Sequence, residues 1–297
     1  MASNTAYTYD DGAIREDLLN VLTNISPKNT QLVTGLGTST AAAIRHEWLI
    51  KSLGTVKVNA YIEGTDPSYQ NLTDPTRLVN YCQIFREPYM VTDTERAVNT
   101  AAFNDRFALE GSEALAELKN DMEYAILRGS LACGSGSAAR QLRGLKNSLS
   151  LVTSQSGVSL TEAILNNYFQ NVWDVTSLEV NEVYGGMYIK RKISAYTGGA
   201  TKQVQVTDRR LIAAVDVYEA DAASMVKLFA HRYMTVSGDI NYDVLGINAE
   251  MFNLAYLRKP FTREISKTGD ATKGEVVTEV TLENKHYNAG FSSLQHL

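Results

Sequence analysis

The chain has 297 residues and a formal net charge of −5, and its charged residues of both signs are scattered along the whole sequence. This length can bury a large core, and scattered charge does not suit a dedicated nucleic-acid-binding protein, which would show a clustered basic face. No apolar run approaches the ~18 residues of a membrane helix, and the 2 cysteines and 4 histidines lack disulfide or metal-ligand spacing, so we predict no membrane segment, no metal site and no cofactor.

Residues 1–43 are predicted to form an arm. The segment GAIREDLLNVLTNISP has the apolar spacing of a short helix that ends before Pro27. The next segment, NTQLVTGLGTSTAAA, is predicted to cross a surface in extended form, and periodicity does not say whether that surface belongs to the same chain or to a neighbour. Because the rest of the arm is polar, the apolar face of its helix needs a partner elsewhere. The residues expected to contact a neighbouring subunit are Ile14, Leu18, Val21 and Leu22.

Residues 44–86 are predicted to form a long two-stranded finger. Apolar and polar side chains alternate over 44–50 and over 56–62, and RLVNYCQIF resumes an extended pattern after the turn-rich tip near 63–76. A two-stranded ribbon is at best marginally stable alone in water, so the finger is expected to lie against another chain. The charged residues expected in that contact are Lys57, Glu63, Asp66, Asp74 and Arg77.

The longest helical pattern covers Arg106–Arg128. Apolar or small residues recur every three or four positions, and the acidic residues, Glu123 among them, are predicted to lie on the opposite, polar side. Asn104 and Asp105 can cap the first turn, and Gly129 is predicted to end the helix. At ~1.5 Å per residue the helix would be roughly 35 Å long, which suits a strut better than an element of one small core.

The rest of the chain is predicted to mix short strands and helices. The Gly-Ser-rich segment after the long helix matches neither a P-loop nor a nucleophile elbow, so we interpret it as a linker. Ser159 and Glu162 have the spacing of a capping box for a helix that runs through Trp173. Strands then alternate with helices up to about residue 250, which indicates an α+β unit. The alternation over 275–283 predicts a strand with one buried face and one face in solvent.

Many short segments, in fixed order, resemble the major capsid protein family of the SU10-like tailed bacteriophages. They include REDLLNVLTNISPKNTQLVTGLG, RHEW, YIEG and RLVNYCQI in the first part of the chain, and AYTGGATK, AVDVYEAD, HRYM and LAYLRKPFTREISKTGDATKGEVVTEVTLE in the second. The resemblance implies an α+β, HK97-like capsid fold with an N-terminal arm, an extended E-loop hairpin, a peripheral domain with a long spine helix, and an axial domain. The implied boundaries are 1–43 for the arm, 44–86 for the E-loop hairpin, 87–158 for the peripheral domain with its spine helix at 106–128, 159–250 for the axial domain, and 251–297 for returning strands of the peripheral domain.

The resemblance implies a structural protein and not an enzyme. Such a protein self-assembles into hexamers and pentamers and forms the icosahedral head that encloses phage double-stranded DNA, without sequence-specific DNA binding. The implied location is the virion capsid, with assembly in the host cytoplasm. Scaffolding, portal and decoration proteins are the implied partners besides the chain itself.

Two other function classes are considered. A non-viral, encapsulin-like protein cage would have the same fold, and only the residue-level resemblance favours a phage capsid over it. For an enzyme, the candidate groups are Asp10-Asp11, Glu63-Asp66 and His231-Arg232, and none has a partner that sequence spacing can connect. Some relatives in the wider fold class crosslink their shells through a lysine of the E-loop. Lys51 and Lys57 lie near the finger, but no asparagine partner can be placed and we do not predict a crosslink.

Overall fold

The described part of the chain forms two β-sheets, a separate hairpin and six α-helices, of which one is long. The computed structural model describes residues 30–54, 56–67, 69, 72–98, 105–196, 217–220, 223–234, 242–267 and 269–296. The helices in these residues are α1 (Gln31–Gly35), α2 (Asp93–Ala97), α3 (Arg106–Arg128), α4 (Leu145–Ser148), α5 (Glu162–Thr176) and α6 (Met187–Ser194). The strands are β1 (Gly37–Thr40), β2 (Arg45–Ile50), β3 (Thr76–Tyr81), β4 (Gln83–Thr92), β5 (Leu151–Val158), β6 (Glu182–Gly185), β7 (Val217–Ala220), β8 (Ala223–Ala230), β9 (Tyr242–Ile247), β10 (Phe252–Ile265), β11 (Ala271–Asn284) and β12 (Gly290–His296).

The two sheets are built from different parts of the chain. The first has the order β1-β10-β11-β4, in which β10, β11 and β4 are antiparallel and β1 is parallel to β10. The second has the order β5-β12-β9-β6-β8-β7. The segment predicted to be extended after the arm helix is therefore helical in α1 and then enters the sheet of its own chain as β1, with Gly37 opposite Asn253.

Helix α3 begins and ends where the sequence predicts. The Asp105 carboxylate accepts a hydrogen bond from Phe107 N at 3.0 Å, and Gly129 N donates to Ala125 O at 2.7 Å. A Cβ at position 129 would lie 2.5 Å from the Leu142 carbonyl oxygen, so the helix end approaches the next segment too closely for another residue. One side of α3 packs on the first sheet and forms the main core, which includes Ala114, Leu118, Met122, Ile126, Val276, Val280 and Leu282.

Strand β11 is buried on both faces, so the prediction of one solvent-exposed face is wrong. The strand lies inside its sheet, with β10 on one side and β4 on the other. The face away from α3 carries Glu275 and Glu279, which are only 2% and 7% exposed. Burial of a carboxylate is tolerated when it is paired and hydrogen-bonded, and arginines on neighbouring segments supply the partners here. A polar-apolar alternation cannot distinguish a buried, paired glutamate from a solvated one.

The second sheet carries α5 and α6 on one face. Helix α5 is capped by Thr161, whose hydroxyl accepts from Ile164 N at 3.3 Å, so the prediction of Ser159 as the cap is wrong. The Ser159 hydroxyl accepts a hydrogen bond from Lys192 of α6 instead, at 3.0 Å. The core between the helices and the sheet includes Leu165, Phe169, Val172, Ile189, Val226 and Val244.

Strands β5 and β12 belong to the second sheet. The predicted ranges 87–158 and 251–297 group them with the peripheral domain, but the sequence does not determine how the C-terminal segment packs. In β12, Phe291 pairs with Leu151 of β5 and with Gly246 of β9. Its ring also packs on Tyr168 of α5, with the ring centroids 4.9 Å apart. These contacts with distant segments fix the position of β12, and they cannot be predicted from the local sequence pattern.

A buried carboxylate on α3 joins three parts of the fold. Glu123 is fully buried, so its predicted place on the polar side of the helix is wrong. Its Oε1 accepts a hydrogen bond from Leu32 N at 2.7 Å and its Oε2 accepts one from Val33 N at 2.8 Å, which caps α1 from a distant part of the chain. His231 Nε2 lies 2.8 Å from the same Oε1, and His231 Nδ1 accepts from Tyr233 N at 3.3 Å. Since Nδ1 is the acceptor, Nε2 carries the proton that is donated to Glu123.

We expect Glu123→Gln to loosen α1. The glutamine amide would turn an NH₂ group toward a backbone N–H, and a buried donor left without an acceptor costs about 2 kcal/mol. Urea unfolding of the subunit should show a loss of this size, and the amides of Leu32 and Val33 should exchange with solvent faster. Glu117→Gln alters an exposed residue of the same helix and should change stability by less than ~0.5 kcal/mol. Unchanged exchange at 32 and 33 would show that Glu123 does not hold α1.

Candidate assembly surfaces

The β2-β3 hairpin is fixed to the first sheet at its base. Trp48 Nε1 of β2 donates to Asn284 O at 2.7 Å, and Asn80 Nδ2 of β3 donates to Leu282 O at 2.7 Å. Both acceptors lie at the end of β11. Because each strand of the hairpin has one such hydrogen bond, the sheet sets the direction in which the hairpin leaves the body of the protein.

The described residues of the loop that joins the two strands (51–75) are irregular and exposed. No strand forms in the part of this loop that the structure describes, so the prediction of a strand over 56–62 is wrong. If the β2-β3 register continued, Pro75 and Pro67 would face the outgoing segment, and proline lacks the N–H that a ladder needs. The paired part of the finger is therefore shorter than predicted, and the loop is longer.

Apolar side chains of the loop point into solvent. Leu53, Val58, Tyr69 and Leu72 are between 88% and 95% exposed. Val56 and Ile62 are also exposed. Scattered apolar residues are ordinary on protein surfaces, but a concentration of them in one segment is typical of an interaction site. The exposed apolar side chains of this loop make it a candidate interaction surface.

The charged residues predicted to make contacts fall into two groups. Arg77 lies on β3 and forms an ion pair with Glu47 of β2 at 3.1 Å, so it stabilises the hairpin itself. From position 58 to position 75 the sequence has three carboxylates and no basic side chain, which makes the distal loop acidic. The other predicted contact residues in the described part of the chain are exposed on the loop and form no ion pair with another described residue: Lys57, Glu63, Asp66 and Asp74.

The arm residues Ile14, Leu18, Val21 and Leu22 lie outside the described residues. The described part of the arm starts at Thr30 and is attached to the body through α1 and β1. The C-terminal part of the arm is therefore attached beside α3, where the Glu123 carboxylate accepts hydrogen bonds from the first turn of α1.

The face of the first sheet opposite α3, here called the open face, carries arginines held by buried glutamates. Glu275 pairs with Arg86 of β4 at 3.0 Å and also with Arg263 of β10. Glu279 pairs with Arg258 of β10 at 2.7 Å. The Arg86 and Arg263 side chains are 56% and 53% exposed, so their guanidinium groups cover the glutamates and reach solvent. The sequence alone does not point to these residues, because the register of the three strands is not visible in it.

Apolar side chains lie between these arginines. The strand register places Arg86, Val277 and Phe261 in one row across the sheet, next to a row formed by Pro88, Glu275 and Arg263. The members of the open face are Ile84, Arg86, Pro88 and Met90 on β4, Lys273, Glu275, Val277 and Glu279 on β11, and Arg258, Phe261, Arg263 and Ile265 on β10. Its exposed large hydrophobic residues are Ile84, Met90, Phe261 and Ile265.

The groups considered for catalysis do not assemble into a site in the described residues. The pair at positions 10 and 11 lies outside them, Glu63 and Asp66 are exposed on the loop, and His231 is hydrogen-bonded to Glu123. The described residues contain no group of three or more His, Cys, Asp or Glu side chains that could hold a metal ion. No helix among them is long and apolar enough to cross a membrane.

The two cysteines are free and differ in their surroundings. Cys133 is exposed on the segment after α3. Cys82 lies between β3 and β4 and is fully buried, and this burial, with a smaller contribution from the Glu279 carboxylate, raises the pKa of its thiol to about 11. Since the thiolate is the reactive form, Cys82 is chemically inert in the folded protein at neutral pH.

Comparison with solved structures identifies the fold. One similar chain comes from "Gordonia phage Cozz", with 10% identity, a TM-score of 0.66, and coverage of 100% of this chain and 97% of that chain. Another comes from "Capsid of native GTA particle computed with C5 symmetry", with 10% identity, a TM-score of 0.69, and coverage of 99% and 100%. A third comes from the holo-SrpI encapsulin complex of Synechococcus elongatus PCC 7942, with 12% identity, a TM-score of 0.58, and coverage of 95% and 91%. At such low identity these similarities show the fold, which is that of HK97-like capsid proteins, as predicted.

Comparison with protein families identifies the family. No curated protein sequence matches the chain significantly. The model of the SU10 major capsid protein family matches residues 1–294, which is nearly the whole sequence. This family consists of capsid proteins of tailed phages, which are structural proteins and not enzymes. The match agrees with the resemblance carried by the segments of the arm, the finger and the C-terminal strands, and the chain belongs to the SU10 major capsid protein family.

Proposed function

We propose that copies of this chain assemble into hexamers and pentamers, which build the icosahedral head of a tailed phage around double-stranded DNA. The observation that carries the proposal is the loop at 51–75. Its hairpin base is hydrogen-bonded to the sheet, while its apolar side chains are exposed and without a partner in the described chain. In a single subunit nothing in the described chain covers the apolar side chains of this loop. In a shell, a neighbouring copy of the same chain can cover them.

In this proposal the arm and the E-loop hairpin make the contacts between subunits. The arm contributes Ile14, Leu18, Val21 and Leu22, and the loop contributes Lys57, Glu63, Asp66 and Asp74, with Arg77 at its base. Exposed ion pairs supply little affinity but fix register and choice of partner. The peripheral domain contains α3 and the first sheet, and the axial domain contains the second sheet, including β5 and β12.

Scaffolding, portal and decoration proteins are proposed as further partners, with assembly in the host cytoplasm. DNA is enclosed without sequence-specific contacts in this proposal. The net charge of −5 with scattered signs supports that part of it.

An encapsulin-like cage is the second candidate function. The observation that favours it is the structural similarity to the SrpI encapsulin chain over 95% of this protein. That similarity is weaker than the similarity to the GTA capsid chain, with TM-scores of 0.58 and 0.69. The family match to phage capsid proteins favours the phage head.

Electron microscopy of particles that contain this chain separates the two functions. For a phage head we expect large icosahedral particles, filled with DNA and attached to tails, when the chain is purified from its natural source. Small tailless cages without DNA would support the encapsulin-like function. Particles of neither kind would contradict both. If the chain expressed alone forms uniform full-size shells, the proposed requirement for a scaffolding protein is wrong.

We expect assembly to protect the loop from hydrogen exchange. In free subunits the amides of 56–63 should exchange quickly, because they form no strand, and in shells they should exchange slowly, because a neighbour covers them. The amides of 115–126 in α3 belong to the core and should be protected in both states, which makes them the internal control. Equal exchange of 56–63 in subunits and shells would rule out the contact role of the loop.

A further inference from the structure

We propose that the hydrogen bond between His231 and Glu123 couples the position of the second sheet to the attachment of the arm. While this bond is made, α1 stays fixed to α3. When the second sheet carries His231 away, α1 loses its anchor. The coupling is a property of the single chain, so it goes beyond the shell function proposed above and is tested without shells.

Helix α1 depends on an anchor outside itself. It has only 5 residues, which is too short for a helix that is stable alone in water. The side chain of its N-cap residue, Thr30, makes no capping hydrogen bond. The first turn instead donates from Leu32 N and Val33 N to the two carboxylate oxygens of Glu123, at 2.7 and 2.8 Å. The Glu123 carboxylate therefore replaces the missing N-cap side chain.

The Glu123 carboxylate in turn depends on His231. The side chains of Glu123 and His231 are 0% and 1% exposed. A buried carboxylate is tolerated when it is paired and hydrogen-bonded. Among the described residues, two N–H groups of α1 and His231 Nε2 bind this carboxylate, and no arginine or lysine pairs with it. Without the His231 donor the buried charge is less stable, and the group that caps α1 is held less firmly.

The His231 side chain is attached to the second sheet. Its backbone N donates to Gly185 O of β6 at 2.7 Å, and its ring packs edge-on against Tyr184 of the same strand, with the centroids 6.1 Å apart. Its Nδ1 accepts from Tyr233 N, which fixes the orientation of the ring. The imidazole therefore moves with the second sheet, whereas Glu123 moves with α3. Because a hydrogen bond weakens steeply with distance and angle, a small displacement between the two breaks it.

Release of α1 would lengthen the arm. Strand β1 pairs with β10 from Gly37 onward and makes no use of Glu123. The arm therefore leaves the body before Thr30 when α1 is anchored, and before Gly37 when α1 is released. Residues 30–36 then add roughly 20 Å of reach when extended. The burial of Leu32 and Leu36 favours the anchored state, so release requires the loss of the Glu123 contacts.

Hydrogen exchange in free subunits tests the coupling. His231→Met removes the donor and fills a similar volume, and it should make the amides of Leu32 and Val33 exchange about tenfold faster, the effect of losing one hydrogen bond to a buried charge. His231→Gln keeps a side-chain N–H donor and should restore exchange to within about twofold of the unmodified chain. The amides of Leu165 and Phe169 in the core helix α5 should not change in either variant.

Arg128→Gln is the matched control for general loosening of the same turn. It removes the hydrogen bonds that Arg128 donates to the carbonyl oxygens of Tyr233 and Met234, and it leaves the buried carboxylate untouched. Exchange at positions 32 and 33 should stay unchanged, because His231 remains hydrogen-bonded to the second sheet.

Two further measurements test whether the effect passes through the carboxylate. In a chain that already carries Glu123→Gln, His231→Met should accelerate exchange at 32 and 33 no further, because the two changes break one contact. Coupling is also reciprocal. Val33→Gly weakens α1 and keeps its N–H donors, so it should speed the exchange of the His231 Nε2 proton, measured by its NMR signal.

The other outcomes overturn the proposal. They are unchanged exchange at 32 and 33 in His231→Met, equal acceleration in Arg128→Gln, and additive effects in the double variant. If His231→Met does not give folded subunits, Val33→Gly decides, and an unchanged imidazole proton overturns the coupling. Failure of the unmodified chain to form shells would contradict the shell function and leave the coupling standing, since it is measured in free subunits.

Discussion

The burial of β11 on both faces is the constraint on which most of this fold depends. One face packs against α3 through Val276, Val280 and Leu282, and this contact forms the main core. None of the described helices packs against the other face, yet Glu275 and Glu279 on it are buried. Unpaired buried carboxylates would be strongly destabilising, so β4 and β10 must supply arginines. A purely structural requirement of one strand thus produces a surface of ordered guanidinium groups. The Leu282 and Asn284 carbonyls at the end of β11 then accept the hydrogen bonds that fix the hairpin.

Glu123 has a comparable role on α3. Its carboxylate binds the first turn of α1 and also His231, which follows β8 in the second sheet. One buried side chain therefore connects α1, at the end of the arm, with the spine helix and with the residue that follows β8 of the second sheet. Arg128 adds a second link between the same parts, because it donates to the Tyr233 and Met234 carbonyl oxygens at 2.7 and 2.8 Å. If the second sheet moved relative to α3, the hydrogen bond between His231 and Glu123 would change, and with it the position of α1, where the arm is attached.

Local patterns predicted the elements that local energetics determine. The ends of α3 follow from the Asp105 cap and from Gly129, and the sequence shows both. The family resemblance predicted the fold class, and the structural comparisons confirm it. The errors about burial have one physical origin: Glu123, Glu275 and Glu279 look solvated in a helical or strand pattern, but partners from distant segments bury them. The packing of β12 also depends on distant segments, so the sequence left it open. In the loop, alternation over 56–62 imitates a strand, and the prolines on the returning segment remove the partner that a strand needs.

The acidic charge of the loop has a consequence for the symmetry of assembly. Two acidic loops repel each other, so a contact between two identical loops is disfavoured although both expose apolar residues. A contact of the loop with a different patch on another copy is the favourable alternative, and it is a head-to-tail contact. Such contacts do not end with a pair, because each subunit still has one free loop and one free patch. When they are repeated with a rotation that closes, they generate rings, and small changes in the rotation change the number of subunits in the ring.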